Sequence, residues 1–117
     1  MTQKYVSREK DTVFIQKDGR IITMDIRDII YVEHRCRTIF LHTIRGIFPM
    51  PYMTLYAVHE NLGSDYLYQC HKSFLVNWMY VDQINPTENV IILKNYFGSV
   101  SVGRHYRKMF LENMHYN

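Results

Sequence analysis

The side chains able to do chemistry in this 117-residue chain are six histidines, two cysteines and fourteen lysines and arginines. His34, His42, His59, His71, His105 and His115 are scattered singly. None has the H-E-x-x-H spacing that sets two imidazoles on one helical face around a zinc ion. Ser73 lies two residues from His71, but one turn cannot supply a nucleophile, a base and a third group to orient that base. Cys36 and Cys70 form no C-x-x-C pair, so neither a zinc site nor a disulfide framework is implied. The pattern points to no catalysis, no metal and no cofactor.

The basic residues carry more information. Residues 1–33 hold six acids and six bases, whereas residues 34–117 hold eight bases against five acids, so the net charge of +3 arises wholly in the second part. Three stretches there contain no carboxylate: residues 34–59 with Arg35, Arg37 and Arg45, residues 66–81 with Lys72, and residues 89–111 with Lys94, Arg104, Arg107 and Lys108. A polyanion gains from such stretches because nothing repels its phosphates locally. The plain alternative for each is a solvated face that happens to lack acids.

The elements that must position these residues are short and mostly β. Thr12 to Gln16 reads as a strand that turns at Lys17-Asp18-Gly19-Arg20 into Ile21 to Met24, because Asp-Gly accepts the positive φ of a tight hairpin. Ile26 to Ile29 has turn character, and strands are predicted at Ile29 to Glu33, Thr38 to Thr43, Leu67 to Cys70, Val81 to Asn85, Val90 to Leu93 and Ser99 to Val102. Ile47-Phe48 follows the Arg45-Gly46 turn, and Pro49 and Pro51 are expected to end that strand. Thr54 caps a helix through Leu62, with Leu55, Val58 and Leu62 on one face and Gly63 as its stop. A last helix is predicted from about Arg104, with Tyr106, Met109 and Phe110 inward and Arg104, Arg107 and Lys108 outward. The ten tyrosines and Trp78 are spread evenly, which assigns them to core and sheet rather than to a base-stacking platform. The expected fold is a mostly antiparallel β domain with a short middle helix and a C-terminal helix.

The segment Leu67-Tyr68-Gln69-Cys70-His71-Lys72-Ser73-Phe74-Leu75-Val76-Asn77 resembles the hallmark of LytTR-type DNA-binding domains, usually written F-x-R-x-H-R-S-F-L-V-N. Upstream, Ile29-Ile30-Tyr31-Val32-Glu33 resembles the family's apolar strand ending in an acid. Downstream, Asn89 to Asn95 is similar to its second-last hairpin, and Val102-Gly103-Arg104-His105-Tyr106 to the V-S-R-R-Y that opens its last helix. These matches keep the family's order across roughly residues 12 to 110. Gln69 stands where the family has Arg, Gly103 where it has Ser, and Leu67 where it has Phe.

The resemblance implies an elongated stack of small antiparallel sheets that binds promoter direct repeats sequence-specifically through loop residues in successive grooves. Carried over residue by residue, it nominates Arg37, Lys72, Arg104 and His105 as base readers. The arginine fork matches the O6 and N7 acceptors of guanine in a major groove. Arg35, Ser73, Lys94, Arg107 and Lys108 are nominated as phosphate contacts, which position without reading sequence. His71 and Asn77 are read as structural, the first fixing its turn and the second bonding backbone. The bland alternative is a set of charged hairpin tips and a solvated helix face. Cys70, adjoining His71 near this surface, raises the hypothesis of a lowered thiol pKa and redox control.

The implied partners are double-stranded promoter DNA, a second copy on direct repeats, and an upstream receiver domain with its sensor kinase. No stretch approaches the length of a membrane span and no signal peptide is visible, so the expected location is the cytoplasm. Residues 1–11 are read as an N-terminal extension or linker remnant, and residues 12–117 as the domain. A β-type protein- or RNA-interaction module remains the alternative function.

Overall fold

The computed structural model describes residues 6–113; His115 and the first residues of the expected N-terminal extension lie outside that range. Among the described residues, eleven strands form three antiparallel sheets stacked along a 44 Å axis, with the other extents 26 and 23 Å. The first sheet orders β1 (Val6–Glu9), β2 (Thr12–Lys17) and β3 (Arg20–Asp25). The central sheet has the order β6-β5-β4-β8-β7, from β4 (Ile29–Arg35), β5 (Thr38–Thr43), β6 (Gly46–Pro51), β7 (Leu67–His71) and β8 (Phe74–Asn77). The last joins β9 (Val81–Asn85), β10 (Val90–Leu93) and β11 (Ser99–Ser101). Helix α1 spans Leu55–Leu62 and α2 spans Arg107–Asn113.

Alternation along the central strands explains the stack, since successive side chains leave a strand on opposite faces. Val32, Ile39, Leu41, Leu67 and Leu75 point into one core with α1 and the first sheet. Cys70 and Val76 point into a second core with Ile91, Leu93, Val100 and Phe110 of the last sheet and α2, and Ile30 joins them, turned away from the Val32 face by the irregularity between Ile29 and Tyr31. The middle sheet is thus covered on both faces by separate layers. Asn77, fully buried, joins them: its Nδ2 donates to the Ile29 carbonyl at 2.8 Å, and its Oδ1 accepts from the Met79 amide at 3.0 Å.

Helix α1 follows its sequence signals closely. The Thr54 hydroxyl accepts from the Ala57 amide at 3.0 Å, Leu55, Val58 and Leu62 are buried, and Gly63 ends the helix at φ 86°. Five expectations need correction. β6 runs through Pro49 and ends at Pro51, so Pro49 lies inside the strand it was expected to end. β6 is an edge strand, and the Tyr52 amide donates inward to Arg37; by alternation, residues 49 and 51 face the open side, where a missing N–H costs nothing.

Phe74–Asn77 forms β8, where no strand was expected. Val6–Glu9, set outside the domain by pattern, forms β1, with Val6 buried in the first core. Arg8 ties β1 to the end of α1, through a two-pronged ion pair with Asp65 at 2.5 and 2.7 Å and a 2.7 Å bond to the Leu62 carbonyl.

The last helix starts at Arg107 because residues 104–106 form a turn, closed by the Tyr106 amide on the Gly103 carbonyl at 2.9 Å. Its inward face is rotated accordingly: Met109 is exposed, while Leu111 packs on the second core beside buried Phe110. The tyrosines are not all core and sheet residues either, since Tyr52, Tyr56 and Tyr96 are strongly exposed.

Candidate nucleic-acid interface

β4 and β8 run antiparallel with Glu33 opposite Phe74, so the turn after β4 and the turn before β8 emerge at the same end of the central sheet. The His34 amide donates to the Ser73 carbonyl at 2.9 Å and locks the two turns together. The Gly103 amide donates to the Cys70 carbonyl at 2.7 Å, which brings the entry to α2 alongside. A Cβ on Gly103 would stand 3.3 Å from the His71 Cα; the close approach explains a glycine where the family has Ser. Three segments far apart in sequence therefore share one end of the molecule.

The first segment is the tip Cys36-Arg37, where both residues have positive φ, 51° and 62°. Two such residues make the turn whose twist suits a two-residue hairpin. Arg37 is exposed with no ion-pair partner among the described residues. Arg35 is drawn back: its guanidinium lies 4.8 Å from the Phe40 ring centre, and its Nε stands 3.7 Å from Glu33. Glu33 also faces His42 at 3.3 Å, and the His42 ring stacks on Tyr31 at 4.0 Å. Burial holds His42 below the usual imidazole range, against the opposing pull of Glu33.

The second segment is Lys72-Ser73. The Ser73 amide donates to His71 Nδ1 at 3.0 Å, which requires that nitrogen to be unprotonated and leaves the ring proton on Nε2. Burial and the neighbouring Lys72 charge lower the His71 pKa, in keeping with a neutral ring at pH 7. Lys72 is exposed. Gln69, in place of the family's Arg, donates its amide to the His71 carbonyl at 3.2 Å and so braces this turn.

The third segment is Gly103-Arg104-His105, with Arg104, His105, Arg107 and Lys108 all exposed. A shallow hollow of about 460 Å³ lined by His71, Lys72, Arg104, His105 and Tyr106 joins it to the second. Lys94 stands apart. It begins the turn between β10 and β11, whose Phe97 packs on Tyr80, and the Tyr80 hydroxyl donates to the Arg27 carbonyl at 2.7 Å. That turn therefore lies by the start of β4, at the opposite end from Arg35.

Cys70 does not fit redox control. It is fully buried, with its thiol pushed up to about 12 by burial, so it carries neither the exposure nor the thiolate that oxidation needs. The sequence reading missed Glu33 and His42 as neighbours of Arg35, and Tyr52 as a neighbour of Arg37. Glu33 and Arg35 share one face of β4, two residues apart, a signal that alternation could have given; register brings in His42 and Tyr52, and no local motif announces those. The described residues hold no metal-binding cluster of His, Cys, Asp or Glu, and no helix long and apolar enough to cross a membrane.

Exposed basic turn tips, raised on a rigid β stack and facing few carboxylates, make a surface suited to a polyanion. The family model of the LytTr DNA-binding domain matches residues 19–115, and the chain belongs to that family. The transcriptional regulatory protein YpdB of Escherichia coli K12 is 35% identical over 113 residues, covering 94% of this chain and 46% of that protein. The protein of the same name from Shigella flexneri matches to the same extent. The chain thus spans less than half the length of these relatives. A solved LytTr DNA-binding domain from Bacillus cereus superposes with a TM-score of 0.77 at 20% identity, over 91% of this chain and 98% of that one. That likeness is one of fold.

Proposed function

We propose that the chain binds double-stranded DNA sequence-specifically and serves as the output domain of a bacterial transcriptional regulator. The observation that carries the reading is the pair of long-range hydrogen bonds, His34 to Ser73 and Gly103 to Cys70, that gathers three acid-free basic segments on one end. In this reading Arg37, Lys72, Arg104 and His105 approach base edges, while Arg35, Ser73, Arg107 and Lys108 hold phosphates. His71 and Asn77 keep the turns in place. Lys94 falls outside the contact surface.

Neighbouring strands are about 4.8 Å apart, so the roots of the first and second tips stand about 10 Å from each other. That is close to the major-groove width of about 12 Å, and long side chains extend the reach on either side. The wider setting inferred from the relatives is a cytoplasmic response regulator. Its receiver domain would answer a sensor kinase, and two copies would occupy direct repeats.

Selecting bound duplexes from a random DNA library with this chain tests the proposal. The expected result is an enriched motif, repeated at a fixed spacing. Arg104→Ala should then weaken binding to that motif by about 1–3 kcal/mol and relax base preference at one position. Absence of any enriched motif, or tighter binding to structured RNA than to duplex DNA in competition, would overturn it.

A further inference from the structure

The residue that follows β6 combines three features, of which the first two are shared with Tyr96 of the β10–β11 turn and the third is its own. Tyr52 has φ 64°, a region that bulky side chains rarely enter because Cβ crowds the backbone. It is 87% exposed, so no packing explains the strained backbone. Its amide donates to the Arg37 carbonyl at 3.1 Å, which continues the β5–β6 pairing beyond Pro51 opposite Thr38 and fixes Tyr52 beside the tip of the β4–β5 hairpin. Tyr56, 75% exposed on the first turn of α1, follows it. Both lie within residues 34–59, which contain no acid. Strain at an exposed position is held at both Tyr52 and Tyr96, and only at Tyr52 does it come with a backbone tie to a proposed base reader.

We propose that Tyr52 belongs to the DNA-contacting surface, donating its hydroxyl to a backbone phosphate next to the base pair that Arg37 reads. This rests on the proposed DNA-binding reading and adds a fourth segment to it. A phenol suits the task. It donates a hydrogen bond to a phosphate oxygen and brings no charge to compete for the base edge. The backbone tie to Arg37 then couples the two, so that phosphate capture by Tyr52 sets the register of the arginine fork.

The test uses gel-shift titration on duplexes selected by the unaltered chain, with Tyr52→Phe, Tyr52→Gly and Arg37→Ala side by side and Tm measured for each. Tyr52→Phe should bind about 10- to 150-fold more weakly with unchanged Tm, the effect of one lost hydrogen bond to a charged acceptor. The slope of log affinity against log salt should stay as it was, because a neutral donor releases no counterion. Tyr52→Gly should lose at least as much affinity while raising Tm, since glycine adopts φ 64° without strain.

Arg37→Ala should both weaken binding and flatten the salt slope by about one unit. Unchanged affinity in Tyr52→Phe, with Arg37→Ala impaired on the same duplex, overturns the role of Tyr52 and leaves the DNA-binding reading intact. Full affinity in Arg37→Ala and Arg104→Ala as well overturns that reading, and Tyr52 falls with it.

Discussion

Salt dependence offers the most quantitative check on the proposed surface. Six exposed cations stand at its end of the molecule: Arg35, Arg37, Lys72, Arg104, Arg107 and Lys108. A cation held between the phosphate rows of duplex DNA displaces condensed counterions whether its last hydrogen bond goes to a phosphate or to a base edge, so each, base readers included, adds about −0.9 to the slope of log affinity against log salt. Arg35 is partly satisfied by Glu33 at 3.7 Å, so five to six cations remain and the slope should be about −4.5 to −5.5. Between 50 and 200 mM salt that is a loss of about a thousandfold in affinity.

Single substitutions distribute this total. Arg107→Ala should flatten the slope by about one unit. Glu33→Gln should steepen it and tighten binding at low salt, because it frees Arg35 from its carboxylate. Fluorescence anisotropy on a selected duplex across five salt concentrations measures the unaltered chain and each variant. A slope shallower than about −2 would refute the reasoning, as would an unchanged slope in Arg107→Ala together with Lys72→Ala.

Three other expectations concern the scaffold. Asn77→Asp should leave a buried carboxylate facing the Ile29 carbonyl that Asn77 now donates to. Burial raises its folded pKa above the unfolded value of about 3.9, so the variant should be most stable below about pH 4 and lose stability as pH rises. Denaturant midpoints that do not fall between pH 4 and 7 would count against it. Arg8 holds the Asp65 carboxyl below the usual range, chiefly through their hydrogen bonds. That lowered pKa contributes stability above about pH 4 that is lost as pH falls through the folded value. Arg8→Ala should therefore lower the Tm at pH 7 and make it less sensitive to acid, and an undiminished acid response would remove the pair from the account. In the native chain a thiol reagent should modify exposed Cys36 and spare buried Cys70 until denaturant is added; peroxide-induced loss of DNA binding that persists in Cys36→Ser would contradict this.

What the sequence made legible was local, and what it hid was long-range. Thr54, the Leu55-Val58-Leu62 stripe and Gly63 each act within one helix, and the helix formed where they placed it. Asp18-Gly19 likewise set the β2–β3 hairpin with φ 53° and 74°. β8 escaped because its turn at Lys72-Ser73 contains neither Gly nor Pro; the His71 ring closes that turn from within a strand. β1 escaped because Val6-Ser7-Arg8-Glu9 has only one apolar residue, and its anchor at Asp65 lies 57 residues away.

The interface divides in the same way. Charge windows identified the residues, and the hallmark segment supplied their roles by resemblance. Neither could separate Lys94 from Lys72, since both are lysines at β turns in acid-free stretches. Strand register separates them: β4 runs from the Arg27 end, where Lys94 lies, to the Arg35 end, where Lys72 lies. Register also sets Tyr52 beside Arg37 across the β5–β6 ladder. On the proposed reading, pairings between distant strands decide which basic residues can reach DNA, and substitutions that shift those pairings should impair binding without touching a single charge.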